Sequence, residues 1–274
     1  MNASRNALDR IAAALERLSP PPAPRCDWMT SPAYVWDGSS ATAITALDTV
    51  PLEKLRGIAE QKSALLVNLE RLSSGAAAHD MLLWGARGMG KSALVRAAVN
   101  DVQARLPDAL ALVQLASGTL ASFPDLIANL RGQSRAFVLF IDDLGFGPDA
   151  LQDNLALRSL LDGGVISRPA NVRLAVTSNR RGIVERAADE ANALHQRDER
   201  DNALALADRF GLTLGFHPCD RVTYLEIVRA YAAPAGLAVD EDEALAWAIA
   251  RGNRSGRSAY QFACELAGRA GAAL

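Results

Sequence analysis

Between Met81 and Ala98 the chain reads MLLWGARGMGKSALVRAA, a short apolar run that enters a glycine-rich turn and leaves as a helix. Gly85, Gly90, Lys91 and Ser92 fit G-x-x-x-x-G-K-[ST], the pattern of a phosphate-binding loop. Glycine at 85, 88 and 90 admits backbone conformations closed to other residues. Successive N–H groups of Gly85, Ala86, Arg87, Gly88, Met89 and Gly90 can therefore turn inward around a polyphosphate. The helix beginning near Lys91, with Ser92 and Ala93 in its first turn, adds its positive end. Lys91 supplies a mobile point charge, and the Ser92 hydroxyl suits a Mg²⁺ ion that keeps most of its waters.

A second chemical pair follows at Ala136 to Leu144, AFVLFIDDL, an apolar run that ends in two carboxylates. Such a run reads as a parallel strand buried on both faces, and its C-terminal end is where ligands bind in open α/β sheets. Asp142 is placed to hold the metal, and Asp143 to orient the attacking water. The next strand pattern, from Asn171, ends in Ser178-Asn179-Arg180-Arg181. Beside the Asp142 strand, Asn179 would meet the γ-phosphate or the water; by itself, an asparagine there is a turn residue. Arg209, in Asp208-Arg209-Phe210, suits stabilisation of a transferring phosphoryl group on a neighbouring subunit, or an ion pair with Asp208 or the region of Asp201. In Arg251-Gly252-Asn253-Arg254-Ser255-Gly256-Arg257, Arg257, with Arg254 second, is placed to reach bound phosphate from a helix start; a basic patch for nucleic acid is the competing reading.

The elements that must position these groups are legible in the spacing. Residues 3–18 carry Leu8, Ile11, Leu15 and Leu18 at helical intervals, and Ser19-Pro20-Pro21-Pro22-Ala23-Pro24 ends that helix as an extended spacer. Residues 25–50 hold Trp28, Tyr34 and Trp36 among turn formers, with Ala33 to Trp36 short enough for a strand. From Pro51 a helical pattern runs through Leu55, Ile58, Leu65, Leu69 and Leu72; Ile58 fits either the core or a place beside a base. A strand is expected at Ala109 to Leu115 and a helix at Ser122 to Leu130, with Ser122 as its N-cap. Residues 185–201 hold six acids and three arginines, a solvated helix or loop. Past Pro218 the pattern is wholly helical: Arg221 to Tyr231, Asp240 to Arg251 and Ser255 to Ala270. The organisation predicted is an N-terminal helix and linker region at 1–50, a nucleotide-binding α/β domain at 51–218 and a helical lid at 219–274.

Composition narrows the classes further. A formal net charge of −2 argues against general polyanion affinity. Cys26, Cys219 and Cys264 are odd in number and widely spaced, which fits a reduced, cytoplasmic compartment better than a disulfide framework. Arg5, Asp9 and Arg10 stand where a signal peptide needs an apolar core, and no run is long enough to span a membrane. His79, His195 and His217 are isolated, so neither a zinc site nor a hydrolytic triad is indicated.

The wording LLWGARGMGKSALV, FIDDL, TSNRR, LADRFGL and RGNRSGRSAYQF resembles a little-characterised bacterial family of AAA+ ATP-binding proteins, a domain-of-unknown-function group of P-loop ATPases. The resemblance covers about residues 50–265 and leaves the N-terminal fifty aside. It implies a five-stranded parallel sheet flanked by helices, a helical lid, ATP and Mg²⁺ bound between them, and assembly into a homo-oligomer. By position, Lys91 and Ser92 match Walker A, Asp142 and Asp143 Walker B, Asn179 sensor 1, Arg209 the arginine finger and Arg257 sensor 2. Asp143 departs from the superfamily's usual glutamate, so hydrolysis is expected to be slow. The implied activity is ATP hydrolysis coupled to a change of shape in an assembly with a protein client. The alternatives are an ATP-gated switch or loader without turnover, and a loader associated with DNA.

Overall fold

The computed structural model describes residues 10–11, 26–116, 118–145, 151–162, 168–179 and 205–274. The helix and proline spacer expected before residue 25 thus fall, but for Arg10 and Ile11 in a helix, outside the described residues, as do Arg180, Arg181, the acidic stretch 185–201 and His195.

In chain order the elements are β1 (Ala33–Trp36), β2 (Ala41–Ile44), α1 (Ala59–Ser73), β3 (Met81–Gly85), α2 (Lys91–Arg105), β4 (Leu110–Leu115), α3 (Phe123–Leu130) and β5 (Ala136–Ile141). They continue with α4 (Leu151–Leu161), β6 (Val172–Ser178), β7 (Leu212–Phe216), α5 (Arg221–Ala232), α6 (Glu241–Ala250) and α7 (Gly256–Arg269). The strands form one seven-stranded sheet in the order β2-β1-β4-β5-β6-β3-β7. Every pairing is parallel except β1 with β2. The five parallel strands expected are β4-β5-β6-β3-β7, and the sheet is wider than predicted by two. Ala33–Trp36 pairs with β4 from Ala33↔Leu112 to Trp36↔Leu115. The chain then turns on Asp37, whose carboxylate accepts from the N–H groups of Ser39 and Ser40 at 2.8 Å, and Ala41–Ile44 folds back as the edge strand. Residues 33–44, set apart from the α/β domain by the sequence patterning, thus contribute to its sheet.

Side-chain alternation sends one set of strand residues to each face. Met81, Leu83, Val138 and Phe140 pack into a core shared with α1, α2 and the C-terminal helices. Leu82, Trp84, Phe137, Leu139 and Ile141 pack with Trp28, Tyr34, Trp36 and α3. Burial on both faces is why β3 and β5 read as unbroken apolar runs.

Two local expectations are corrected. The helical pattern from Pro51 divides into a 3₁₀ turn at Leu52–Lys54 and α1, broken at Gly57, whose φ is +74°. Ser122 makes no side-chain cap; its hydroxyl accepts from Trp36 Nε1 at 2.8 Å and donates to the Thr119 carbonyl, tying β1 to the start of α3. The C-terminal helices are capped by side chains. Asp220, Asp240 and Ser255 accept from the backbone N–H of Thr223, Glu243 and Ser258, so the acids at 240–243 serve the α6 N-terminus.

Candidate nucleotide site

β3 delivers the loop and α2 receives it. At Gly85 φ is +121°, and a Cβ there would lie 2.1 Å from the Phe216 carbonyl oxygen of β7. That carbonyl accepts from Ala86 N–H at 2.7 Å, so close approach of the two strands sets the start of the loop. Gly88, at φ +76°, faces the C-terminal helices; a Cβ there would stand 2.9 Å from Ser255 Oγ and 3.0 Å from Arg257 Cβ. Gly90 ends the loop as the residue before α2.

Lys91 is 5% exposed. Its ammonium donates to the carbonyls of Gly85 (3.0 Å) and Ala86 (2.9 Å) and to Asn179 Oδ1 (2.9 Å). Burial lowers its pKa to about 8, against the opposing pull of Asp143 and Asp142 and with added repulsion from Arg87 and Arg257. Ser92 Oγ donates to Asp142 Oδ1 at 2.5 Å, and Thr177 Oγ1 donates to the same oxygen at 2.6 Å. Asp143 has a left-handed backbone, φ +56°, its N–H donating to Thr177 Oγ1 at 2.8 Å. Asn179 Nδ2 donates to Asp143 Oδ1 in a short bond, and Arg87 lies 3.9 Å from the other carboxylate oxygen.

These groups line one cavity of about 610 Å³. Of the residues expected at the site, Arg87, Gly88, Met89, Gly90, Lys91, Ser92 and Ala93 face it, as do Asp142, Asp143, Asn179 and Arg257. Gly85 and Ala86 stand behind, holding the lysine. Arg254 is not among the lining residues; its carbonyl accepts from Cys219 Sγ at 3.2 Å. Arg209 is not either. Its guanidinium pairs with Asp162 through a short Nε contact and a 3.1 Å contact from a terminal nitrogen, and a further short bond reaches the Ala205 carbonyl. The partner differs from the Asp208 or Asp201 region named by sequence proximity.

Several lining residues carried no sequence signal. Tyr231 of α5 and Tyr260 of α7 meet edge to face, centroids 5.1 Å apart, and Lys54 Nζ lies 5.3 Å above the Tyr231 ring. Val50 and Ile227 complete that apolar end together with Ile58, which the sequence offered to either the core or a place beside a base and which is both 4% exposed and on the cavity wall. Helical spacing marks such residues only as buried, so the cavity they share is a tertiary fact. Thr177 stood in plain sight as a strand residue, and only β6 lying beside β5 shows what its hydroxyl touches.

Among the described residues no group of three or more histidines, cysteines or acids is arranged to hold a metal. What converges instead is one hydroxyl and one carboxylate, Ser92 and Asp142, at the edge of a phosphate loop. That oxygen-only, incomplete donor set fits Mg²⁺, which takes its remaining ligands from water and phosphate.

A family model described as "Protein of unknown function (DUF815)" matches residues 29–270. The chain belongs to that family. The match takes in β1 and β2, so the family's extent agrees with the sheet rather than with a boundary at residue 50. In three dimensions this DUF815 chain is similar to a single-residue variant of RuvB from Thermotoga maritima: TM-score 0.53, 18% identity, over 81% of this chain and 66% of that one. It is similar to the ORC1 protein of Aeropyrum pernix solved with DNA, at TM-score 0.55 and 17% identity, over 81% and 62%. It therefore spans just under two thirds of those proteins' length. At such identities the likeness establishes the fold, an AAA+ P-loop α/β architecture with C-terminal helices. No curated protein matches the sequence. Among the described residues no helix is long and apolar enough to cross a membrane.

Proposed function

We propose that this protein is an ATPase that binds ATP with Mg²⁺ in the 610 Å³ cavity and hydrolyses it slowly to change the shape of an assembly. The observation that carries the reading is the single hydrogen-bonded cluster on the cavity floor. In it Lys91 meets Asn179, Asn179 meets Asp143, and Ser92 meets Asp142.

In this reading the loop N–H groups and Lys91 hold the phosphates, and Ser92 and Asp142 hold the metal. Mg²⁺ bound there would offset charge developing on the phosphate oxygens. Asp143 accepts a hydrogen bond from the attacking water and turns it toward the γ-phosphorus, with Asn179 fixing the carboxylate that does so. Arg257, whose side chain lines the cavity from the first turn of α7, adds positive charge on the C-terminal side. Arg209, outside its own cavity and paired with Asp162, would act on the site of a neighbouring copy. Residues 219–274 then form the lid that moves with the nucleotide.

The test is steady-state phosphate release across a protein concentration series, beside Lys91→Ala and Asp143→Asn. Turnover per subunit that rises with concentration and is lost in both variants supports an assembling ATPase. ATP binding without turnover at any concentration replaces it with the second reading, an ATP-gated switch. That reading is favoured by one observation: the Arg257 N–H donates to the Gly88 carbonyl, which ties the loop to the last helix whether or not turnover follows. The names of the structural neighbours, a Holliday junction branch migration motor and an ORC1 protein in complex with DNA, raise a DNA-associated role. DNA binding that falls steeply with salt would support it, and no binding at low salt would remove it.

A further inference from the structure

Thr177 is 1% exposed, near the end of β6. Its hydroxyl has one hydrogen to give and lone pairs to accept with. The hydrogen goes to Asp142 Oδ1 at 2.6 Å, and a lone pair takes the Asp143 N–H at 2.8 Å. Its backbone carbonyl takes the Leu144 N–H, also at 2.8 Å. One residue of β6 thus holds three successive residues just past the end of β5.

The middle one is in a conformation that needs holding. At φ +56° Asp143 is left-handed, which costs a residue with a side chain roughly 1 kcal/mol or more and is best tolerated by aspartate and asparagine. The turn carries the Asp143 carboxylate to Asn179. A relaxed, extended tail would break that bond and leave the buried Thr177 hydroxyl with one partner fewer.

We propose that Thr177 is the positioning residue of the site, its hydroxyl setting the metal-holding carboxylate of Asp142 and the water-orienting carboxylate of Asp143 at once. This rests on the ATP and Mg²⁺ reading given above. It also accounts for aspartate at 143. The left-handed turn, not the length of the side chain, aims the carboxylate, and glutamate adds a methylene to a contact already within bonding distance. Asp143→Glu therefore lowers turnover, although glutamate is the commoner residue in related architectures.

The experiment uses the full chain and a fluorescent ATP analogue, titrated in Mg²⁺ and in EDTA, for wild type, Thr177→Val and Thr177→Ser. Valine keeps the shape and removes the hydroxyl; serine keeps the hydroxyl. Expected for valine is a Mg²⁺ half-saturation weaker by roughly 10-fold, as when an outer-shell partner of a metal ligand is lost. Affinity in EDTA should stay within about twofold, and serine should restore the Mg²⁺ response. A threonine that only fills the core would shift Tm and both affinities together. Equal loss in Mg²⁺ and EDTA, an unchanged Mg²⁺ half-saturation in valine, or failure of serine to rescue would each overturn the proposal. Wild type that binds the analogue with Mg²⁺ but releases no phosphate removes the ATPase reading, and Thr177 is then judged on the Mg²⁺ titration alone. Wild type that binds no analogue overturns both.

Discussion

The backbone N–H of Arg257 donates to the carbonyl of Gly88 at 3.0 Å. The first turn of the last helix is therefore hydrogen-bonded to the phosphate loop itself, through a glycine whose φ is +76°. In the proposed reading, this direct bond is how a nucleotide-driven change in the loop would reach residues 219–274, the proposed lid. Gly88→Ala should break it. The added Cβ meets Ser255 Oγ and Arg257 Cβ, and φ +76° is unfavourable for alanine by about 1–2 kcal/mol. Because Ser255 caps α7, the capping bond is at risk too, worth about 1 kcal/mol. A thermal melt should show a drop of several degrees and nucleotide titration a weaker affinity; an unchanged melt would mean that the lid is not docked on the loop.

Lys91 should register nucleotide by taking up a proton. Burial has brought its pKa to about 8, so above that pH the free protein holds it largely neutral. A polyphosphate beside it favours the ammonium and raises the pKa again. Calorimetry at about pH 9 in buffers of different ionisation enthalpy should then show net proton uptake on ATP binding, lost in Lys91→Met. The sign for stability follows from the same shift. Between about 8 and the ordinary 10.5 the unfolded chain keeps a proton that the native chain has released, so this group's contribution to stability rises with pH in that window.

Arg209 separates action in trans from a local ion pair. Its bond to Asp162 holds that carboxyl below the usual carboxylate range, and both side chains are open to solvent. An exposed pair contributes little to the fold, so Arg209→Ala and Asp162→Ala should leave Tm nearly unchanged. Arg209→Ala should lose turnover by roughly 10³-fold or more while ATP affinity stays near wild type, and active-site mixing with Lys91→Ala should partly restore activity. Equal, full activity in both variants would reduce Arg209 to a surface contact.

Trp36 tests whether the N-terminal strands belong to the same cooperative unit. It is 2% exposed, and its indole N–H is bonded to Ser122 at the start of α3. Trp36→Ala should destabilise the whole domain by about 3–5 kcal/mol in a single denaturant transition. A separate early transition, with nucleotide binding intact, would instead mark 26–50 as an appendage.

Much of this molecule is written locally. The loop from Gly85 to Ser92 and the apolar run into Asp142 and Asp143 are contiguous, and each carries its own strand or helix signal. Buried parallel strands and an N-terminal helix turn are also specified within a few residues of themselves. The C-terminal helices were legible for the same reason; that the Asp220, Asp240 and Ser255 side chains cap them is what the structure adds. What crosses the sheet was not legible. The Ala41–Ile44 strand is four residues long, half alanine, with no fully buried side chain, and recognisable only by its pairing with β1. Ser122 read as a helix cap because nothing nearby announced Trp36, eighty-six residues away. Thr177, Tyr231 and Tyr260 are ordinary strand and helix residues until β6 lies beside β5 and α5 beside α7. The sequence by itself determined the glycine-lysine-serine pattern of the loop, because that pattern sits on one short stretch of chain. The tertiary structure alone decided how the two carboxylates are aimed and which rings close the cavity, because those depend on side chains that meet from distant segments.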